Sequence, residues 1–154
     1  LEVNGELFRA QTSHHRLTWE VPQDLPLVVA DRDAVDQVVK NLLSNALKYS
    51  PAGGAVRLWA ARCEGDGRMV EIGVSDEGVG IPADALPRIF EKYFRVLHPA
   101  TAQARGLGIG LALVKHLVEI QGGAVRVESR EGQGSRFLVT LPVASGSVPA
   151  GPDL

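Results

Sequence analysis

The sequence is short of cysteine, of any excess of charge and of long apolar runs, and each shortage excludes something. A single cysteine, Cys63, permits no internal disulfide and points to a reducing compartment; it reads as a small buried or half-buried residue. With 16 Lys and Arg against 18 Asp and Glu, a net charge of -2 and a pI near 6.1, nothing calls for nucleic acid or an anionic membrane as partner. Only local positive charge can then matter. No apolar run approaches the ~20 residues of a membrane span, and Leu1 is followed at once by Glu2, unlike a signal peptide. What is present, 154 residues with 45% hydrophobic and 22% charged, is ordinary for one domain with one core. The chain starts without Met in what reads as mid-helix, so it is expected to be a fragment of something longer.

The stretch from Asp31 to Pro51 carries the clearest pattern. Val35, Val38, Val39, Leu42, Leu43, Ala46 and Leu47 follow the i, i+3, i+4, i+7 spacing of an amphipathic helix. Asp31 suits its N-cap, Asp33 its first turn, and Pro51 with Gly53-Gly54 closes it. Its polar face aligns Gln37, Asn41, Asn45 and Lys48, where Glu and Lys are usual. Two Asn cost helix propensity for no packing gain. Carboxamide oxygens suit a hard, largely hydrated Mg²⁺, and a Lys one turn on can neutralise phosphate. On this stretch alone a plain solvated face stands as an equal alternative.

In chain order, residues 1–12 read as the end of a connector, 13–144 as one domain and 145–154 as a disordered tail rich in Gly, Ser and Pro. His15–Val21 alternates as a half-wet strand, and Leu27–Ala30 reads as a short buried strand. Ser13-His14-His15 has no carboxylate partner nearby and is read as a strand edge, not a catalytic group. Ala55–Cys63 and Met69–Ser75 are strands joined by a turn at 64–67; Ala83–Glu91 is a short helix anchored by Ile89 and Phe90. Residues 92–105 form a loop long enough to be functional or disordered. Leu111–Gln121 is a second helix, ended by Gly122-Gly123, and Ala124–Ser129 and Arg136–Leu141 are the last strands. The expected fold class is α+β: a two-layer sandwich with a mixed, mostly antiparallel sheet and about three helices on one face. The other sheet face is expected to be partly wet.

Three glycine stretches sit where strands give way to turns. Asp76-x-Gly78-x-Gly80 follows a strand that ends in a carboxylate, which can accept from an exocyclic amine such as adenine's while glycines admit a flat base. Gly106-x-Gly108-x-Gly110 leads into a helix N-terminus, a site for phosphate. Gly132-x-Gly134 reads equally as a hairpin turn. No Gly-Lys-Ser/Thr follows a glycine loop, which excludes a P-loop, and the βαβ context of a dinucleotide fingerprint is missing. Together the stretches offer complementary parts for one nucleotide.

At these residues the chain resembles the catalytic, ATP-binding domain of bacterial sensor histidine kinases, within the Bergerat-fold superfamily that includes gyrase, mismatch-repair and heat-shock chaperone ATPases. The likeness spans roughly Leu17 to Val143 in five blocks. Asn41-Leu-Leu-Ser-Asn45-Ala-Leu-Lys48-Tyr49 resembles the N box, Asp76-Glu-Gly78-Val-Gly80-Ile-Pro the first Gly box and Ile89-Phe90-Glu-Lys-Tyr-Phe94-Arg95 the F box. Gly106-Leu-Gly108-Ile-Gly110 resembles the second Gly box and Gly132-Gln-Gly134-Ser the third.

The resemblance implies ATP and Mg²⁺ as cofactors. Asn45 would hold the metal with Asn41 beside it, Lys48 would meet phosphate, Tyr49 would pack near the base and Asp76 would receive the adenine amine. Gly78, Gly80, Ile81 and Phe94 would complete the base end. Arg95 and Arg105 would reach phosphates from a lid at 92–105, and Gly106, Leu107, Gly108, Ile109, Gly110 and Leu111 would form its hinge and phosphate cradle. Asn41, Lys48 and Arg95 make up the implied catalytic set. Hydrolytic relatives carry Glu where this chain has Asn41, and an amide cannot take a proton from water. The implied acceptor is a His on a separate dimerisation domain, within a His-Glu/Asp-x-x-x-x-Pro motif that this chain lacks; neither His14 nor His116 suits the role. The implied partners are that domain and a response regulator, with no nucleic acid and no direct membrane contact by this domain. The implied location is cytoplasmic, whether or not the parent is membrane-anchored. The lid run Gln103-Ala104-Arg105-Gly106-Leu107 departs from the family's Gly-Gly-Thr-Gly type, and His98-Pro99 also restricts it. Two alternatives share the fold: a nucleotide-sensing or scaffolding module without kinase turnover, and a serine kinase of the anti-sigma-factor type.

Overall fold

Five segments of apolar alternation pair into one sheet, and a computed structural model describes the chain over residues 14–65, 67–104 and 106–145. The strands β1 (His15–Glu20), β2 (Gly54–Arg62), β3 (Met69–Asp76), β4 (Val125–Ser129) and β5 (Ser135–Pro142) lie in the order β1-β2-β3-β5-β4. β1 runs parallel to β2 and every other pairing is antiparallel. Parallel neighbours need a crossover, and helix α1 (Arg32–Lys48) supplies it between β1 and β2. Helix α2 (Gly110–Glu119) precedes β4. Both helices pack into the core on the same face of the sheet.

α1 starts where Asp31 caps it, its carboxylate accepting from the Ala34 amide at 2.8 Å. The Asp31 amide in turn donates to Gln121 Oε1 at 2.6 Å, tying the start of α1 to the end of α2. The helix stops at Tyr49 because Pro51 follows. Its stripe of Val38, Val39, Leu42, Leu43 and Ala46 is buried against Val56, Leu58, Ile72, Val74 and Val139 of the sheet and Val114 and Val118 of α2. Fully burying one such leucine is worth roughly 1.5–3 kcal/mol. That packing fixes the rotation of α1 about its axis.

The opposite sheet face is wetter. There the Trp59 ring lies against Gly73, where any Cβ would overlap it, and the Arg136 guanidinium sits over that ring, 4.9 Å from its centre. Arg136 of β5 pairs with Glu128 on the neighbouring β4 at 3.6 Å, and Arg126 of β4 reaches across β5 to Glu71 of β3 at 3.1 Å.

Three expectations need correction. Leu27–Ala30 is not a buried strand: only Val28 forms a bridge, with Val143, and Leu27 and Val29 are 74% and 60% exposed. The segment is tied to the end of the domain by two backbone bonds, the Val29 amide to the Pro142 carbonyl at 2.9 Å and the Ala144 amide to the Leu27 carbonyl at 2.8 Å, without forming a regular strand. Ala83–Glu91 is not a helix beyond one 3-10 turn, Leu86–Arg88, because Pro87 lacks an N–H and its ring clashes with the carbonyl four residues back. Two α-helices, not about three, are therefore present among the described residues. The loop after residue 92 holds one 3-10 turn, Pro99–Thr101. The expected connector at 1–12 and the tail beyond 145 lie outside the described residues.

Gly73→Ala is expected to lower unfolding stability by about 1–3 kcal/mol by unseating Trp59. Urea unfolding followed by tryptophan emission checks this, and an unchanged midpoint would contradict it.

Candidate functional site

One cleft of ≈ 240 Å³ opens between α1, the C-terminal end of β3, the 94–101 segment and the N-terminus of α2. From α1 it is lined by Asn41, Ser44, Asn45, Lys48 and Tyr49, the face opposite the buried stripe. The Asn41 Nδ2 donates to the Gln37 carbonyl at 3.0 Å, which fixes the carboxamide and leaves Oδ1 free to face Gly110. A Cβ on Gly110 would come within 3.0 Å of that oxygen. The Asn41 carboxamide thus fronts the start of α2, and Asn45 lines the same cleft.

Asp76 closes the other end. It is the last residue of β3, paired in register with Val56 and Ser135, and its carboxylate accepts the Gly78 amide at 2.8 Å. Burial pushes its pKa from 3.8 up to about 6, against the opposing pull of backbone amides from Gly78 and Ser135. Gly78 stands behind the wall rather than in it: a Cβ there would strike the Tyr49 carbonyl. Gly80, at φ 69, has no room for one against the Arg130 carbonyl, and with Ile81 it lines the cleft. The Ile81 amide is held by Ser129 Oγ at 2.9 Å, and the Val79 amide by the Tyr49 carbonyl at 2.9 Å.

The third wall is the segment after Phe90. Phe94 lines the cleft under the Arg88 guanidinium, 4.5 Å from the ring centre. Arg95 reaches the cleft too, yet its guanidinium donates to the Ala104 carbonyl and so clamps the lid to itself. Arg105 lies outside the described residues. Gly106, Leu107, Gly108, Ile109, Gly110 and Leu111 all line the cleft, and a Cβ on Gly106 would sit 3.7 Å from Lys48 Nζ. α2 begins after Ile109 with no side-chain cap, so the amides of its first turn remain free for an anion.

The cleft is therefore polarised, with a desolvated carboxylate among apolar walls at one end and Lys48, an uncapped helix start and two carboxamides at the other. Sequence reading named most of this set as site residues but not Ser44, Val79, Ile89, Val96, His98, Thr101, Ser135 and Phe137. Ser44 was within reach, one helical turn from Asn41, and Ser135 ends the third Gly box; Phe137 enters only through the β3–β5 register.

The raised Asp76 value has a signed consequence. The folded state binds this proton more tightly than the unfolded chain, so the stability it adds is fully present below about 4 and is lost as pH rises through about 6. Relative to Asp76→Asn, the wild-type chain is expected to lose about 2–3 kcal/mol between pH 4 and pH 7. Paired urea unfolding at both pH values reads it, and a difference that does not change with pH would contradict it.

Comparison with known proteins agrees with this geometry. A family described as histidine kinase-, DNA gyrase B-, and HSP90-like ATPase matches residues 30–145. The adaptive-response sensory kinase SasA of Synechocystis sp. is 39% identical over 140 residues, covering 90% of this chain and 36% of the relative. The sensor histidine kinase WalK of Bacillus subtilis is 39% identical over 115 residues, covering 75% of this chain and 19% of that protein. The chain thus spans about a third or less of these curated relatives. Among solved structures, full-length ShkA in complex with AMPPNP superimposes with a TM-score of 0.78 at 34% identity, covering 94% of this chain and 29% of that one. The mycobacterial sensor histidine kinase MprB gives 0.75 at 30%, covering 90% and 88%. With the five sequence blocks brought to one cleft and the family matching over most of its length, the chain belongs to the histidine kinase-, DNA gyrase B- and HSP90-like ATPases.

Proposed function

We propose that the chain is the Mg-ATP-binding catalytic domain of a two-component sensor histidine kinase. It would present the γ-phosphoryl group of ATP to a histidine on a separate dimerisation and phospho-acceptor domain, which then passes it to a response regulator. The observation that carries this reading is the convergence on one cleft of Asn41, Asn45 and Lys48 from α1, Asp76 from β3 and the glycine run that opens α2. The relatives support it by name, as sensory and sensor histidine kinases.

The roles follow from the chemistry of each group. Asp76, ionised at neutral pH, accepts from the adenine amine, while Gly80 and Ile81 frame the base. Lys48 and the free amides at the start of α2 bind phosphate oxygens. Arg95 joins them once it releases the Ala104 carbonyl, and the same role is proposed for Arg105, which lies outside the described residues. The donor set suits Mg²⁺. Among the described residues no group of three or more His, Cys, Asp or Glu is placed to cage a metal, and carboxamide oxygens fit a hard ion that keeps water and phosphate as its other ligands. Asn45 would hold it with Asn41 beside. Once bound there, Mg²⁺ would supply charge neutralisation for the phosphate groups.

Asn41 decides the reaction type. A carboxamide has no lone pair basic enough to take a proton from water, so bound ATP is kept for another nucleophile. Positioning and charge neutralisation supply most of the catalysis in phosphoryl transfer, and these are what Lys48 and Arg95 offer.

Calorimetric titration with ATP, with and without Mg²⁺, together with phosphate release, tests the reading. Saturable Mg-dependent binding is expected, weakened about tenfold or more in Asn45→Ala and in Asp76→Asn, with almost no release. Brisk release by the wild type would move the chain to the hydrolytic relatives, and absence of binding would favour a scaffold. Asn41→Glu is expected to raise phosphate release by about a hundredfold by installing a base; no gain would contradict the role given to Asn41.

A further inference from the structure

The turn that ends α1 holds two neighbouring carbonyls with different tasks. The Tyr49 carbonyl accepts the Val79 amide at 2.9 Å, and the Ser50 carbonyl accepts the Gly53 amide at 3.0 Å. His15, the first residue of β1, brings Nε2 to 2.7 Å from the same Ser50 carbonyl and 3.1 Å from Ser50 Oγ. A carbonyl only accepts, so Nε2 carries the proton. Ser50 Oγ spends its own proton on the Ala46 carbonyl, leaving a lone pair for the imidazole. One N–H thereby serves two acceptors of a residue that is only 1% exposed.

We propose that His15 is a positioning residue for the nucleotide cleft: by pinning Ser50 it fixes the adjoining Tyr49 carbonyl, which in turn sets the Gly78–Val79 turn and the carboxylate of Asp76. The strand does not need the ring for its own pairing, since β1 already registers with β2 from His15–Gly54 to Glu20–Trp59. The ring is spent on the end of α1 instead. Transmission is short because Gly78 has no slack: its Cα packs so close to the Tyr49 carbonyl that a Cβ would not fit. Its amide is the one that holds Asp76 Oδ1, at 2.8 Å. A shift at Ser50 therefore reaches the base end of the cleft through three contacts, none of which involves His15 touching the nucleotide. This rests on the nucleotide reading above only for its affinity arm.

The test compares His15→Phe, which fills the ring's volume without a donor, with His15→Gln, which restores an N–H at a similar reach. Amide exchange by NMR without nucleotide is read first. His15→Phe is expected to speed exchange at Val79 by about tenfold while Val74 and Val139 in the sheet stay protected, with His15→Gln returning Val79 to near the wild-type rate. Mg-ATP affinity is expected to fall by about tenfold in the Phe variant and to recover in the Gln variant. Unchanged Val79 exchange would overturn the proposal, as would a general rise across β3 and β5, since His15 would then act on the fold alone. Failure of the wild-type chain to bind Mg-ATP would show separately and would overturn the nucleotide reading, because the exchange arm needs no ligand.

Discussion

The burial of one stripe of α1 is the constraint on which the rest depends. Successive helical residues are turned by about 100°, so seating Leu42 and Leu43 against the sheet leaves no freedom in where Asn41 and Asn45 point. The same rotation that hides Val38 and Ala46 lays the carboxamides and Lys48 along the cleft. Binding chemistry and core packing are thus two faces of one seventeen-residue helix. A change that lets the stripe slip would move the polar face with it.

Around that helix the sheet provides a fixed opposite end. β3 and β5 are registered over their whole length, which places Asp76 beside Ser135 where the strands stop and burial begins to work against its charge. Holding a carboxylate with a pKa near 6 in that setting costs stability at neutral pH, the usual sign that a group is retained for what it binds. The lid is the less determined wall. Arg95 is engaged with the lid's own backbone at Ala104, and Leu97 and Leu107 are 92% and 73% exposed. Phe94 and Val96 pack against the core and Thr101 is buried, so the segment is anchored at those points while these leucines face solvent.

Much of this was legible in the sequence because its signals are local. The stripe of α1, its Asp31 cap and the alternation in β1, β2, β3 and β5 are periodicities that a short window reveals, and all match the observed elements. The five blocks pointed to one cleft by resemblance; four of them supply several of its lining residues, whereas of the third Gly box Ser135 lines it and Gly132 and Gly134 do not. What failed also has local causes. Leu27–Ala30 looked buried by composition, yet only Val28 and Ala30 turn inward while Leu27 and Val29 face out, and the run Ala83–Glu91 contains Pro87. Phe137 could not be found without the pairing register, which a sequence does not display. His15 was set aside for want of a nearby carboxylate; its partner proved to be a helix-end serine, Ser50, thirty-five residues on.

The central claim is that α1, the β3 end and the glycine run before α2 bind different parts of one nucleotide at once. Amide and side-chain NMR shifts during titration with a non-hydrolysable ATP analogue, first without and then with Mg²⁺, test it most directly. Shifts at Gly78, Gly80, Gly106, Gly108 and Gly110 are expected to saturate together, with movement of the Asn45 side-chain amide only when Mg²⁺ is added. Shifts centred on Trp59 and Arg136 across the sheet, or an Asn45 amide indifferent to the metal, would contradict it.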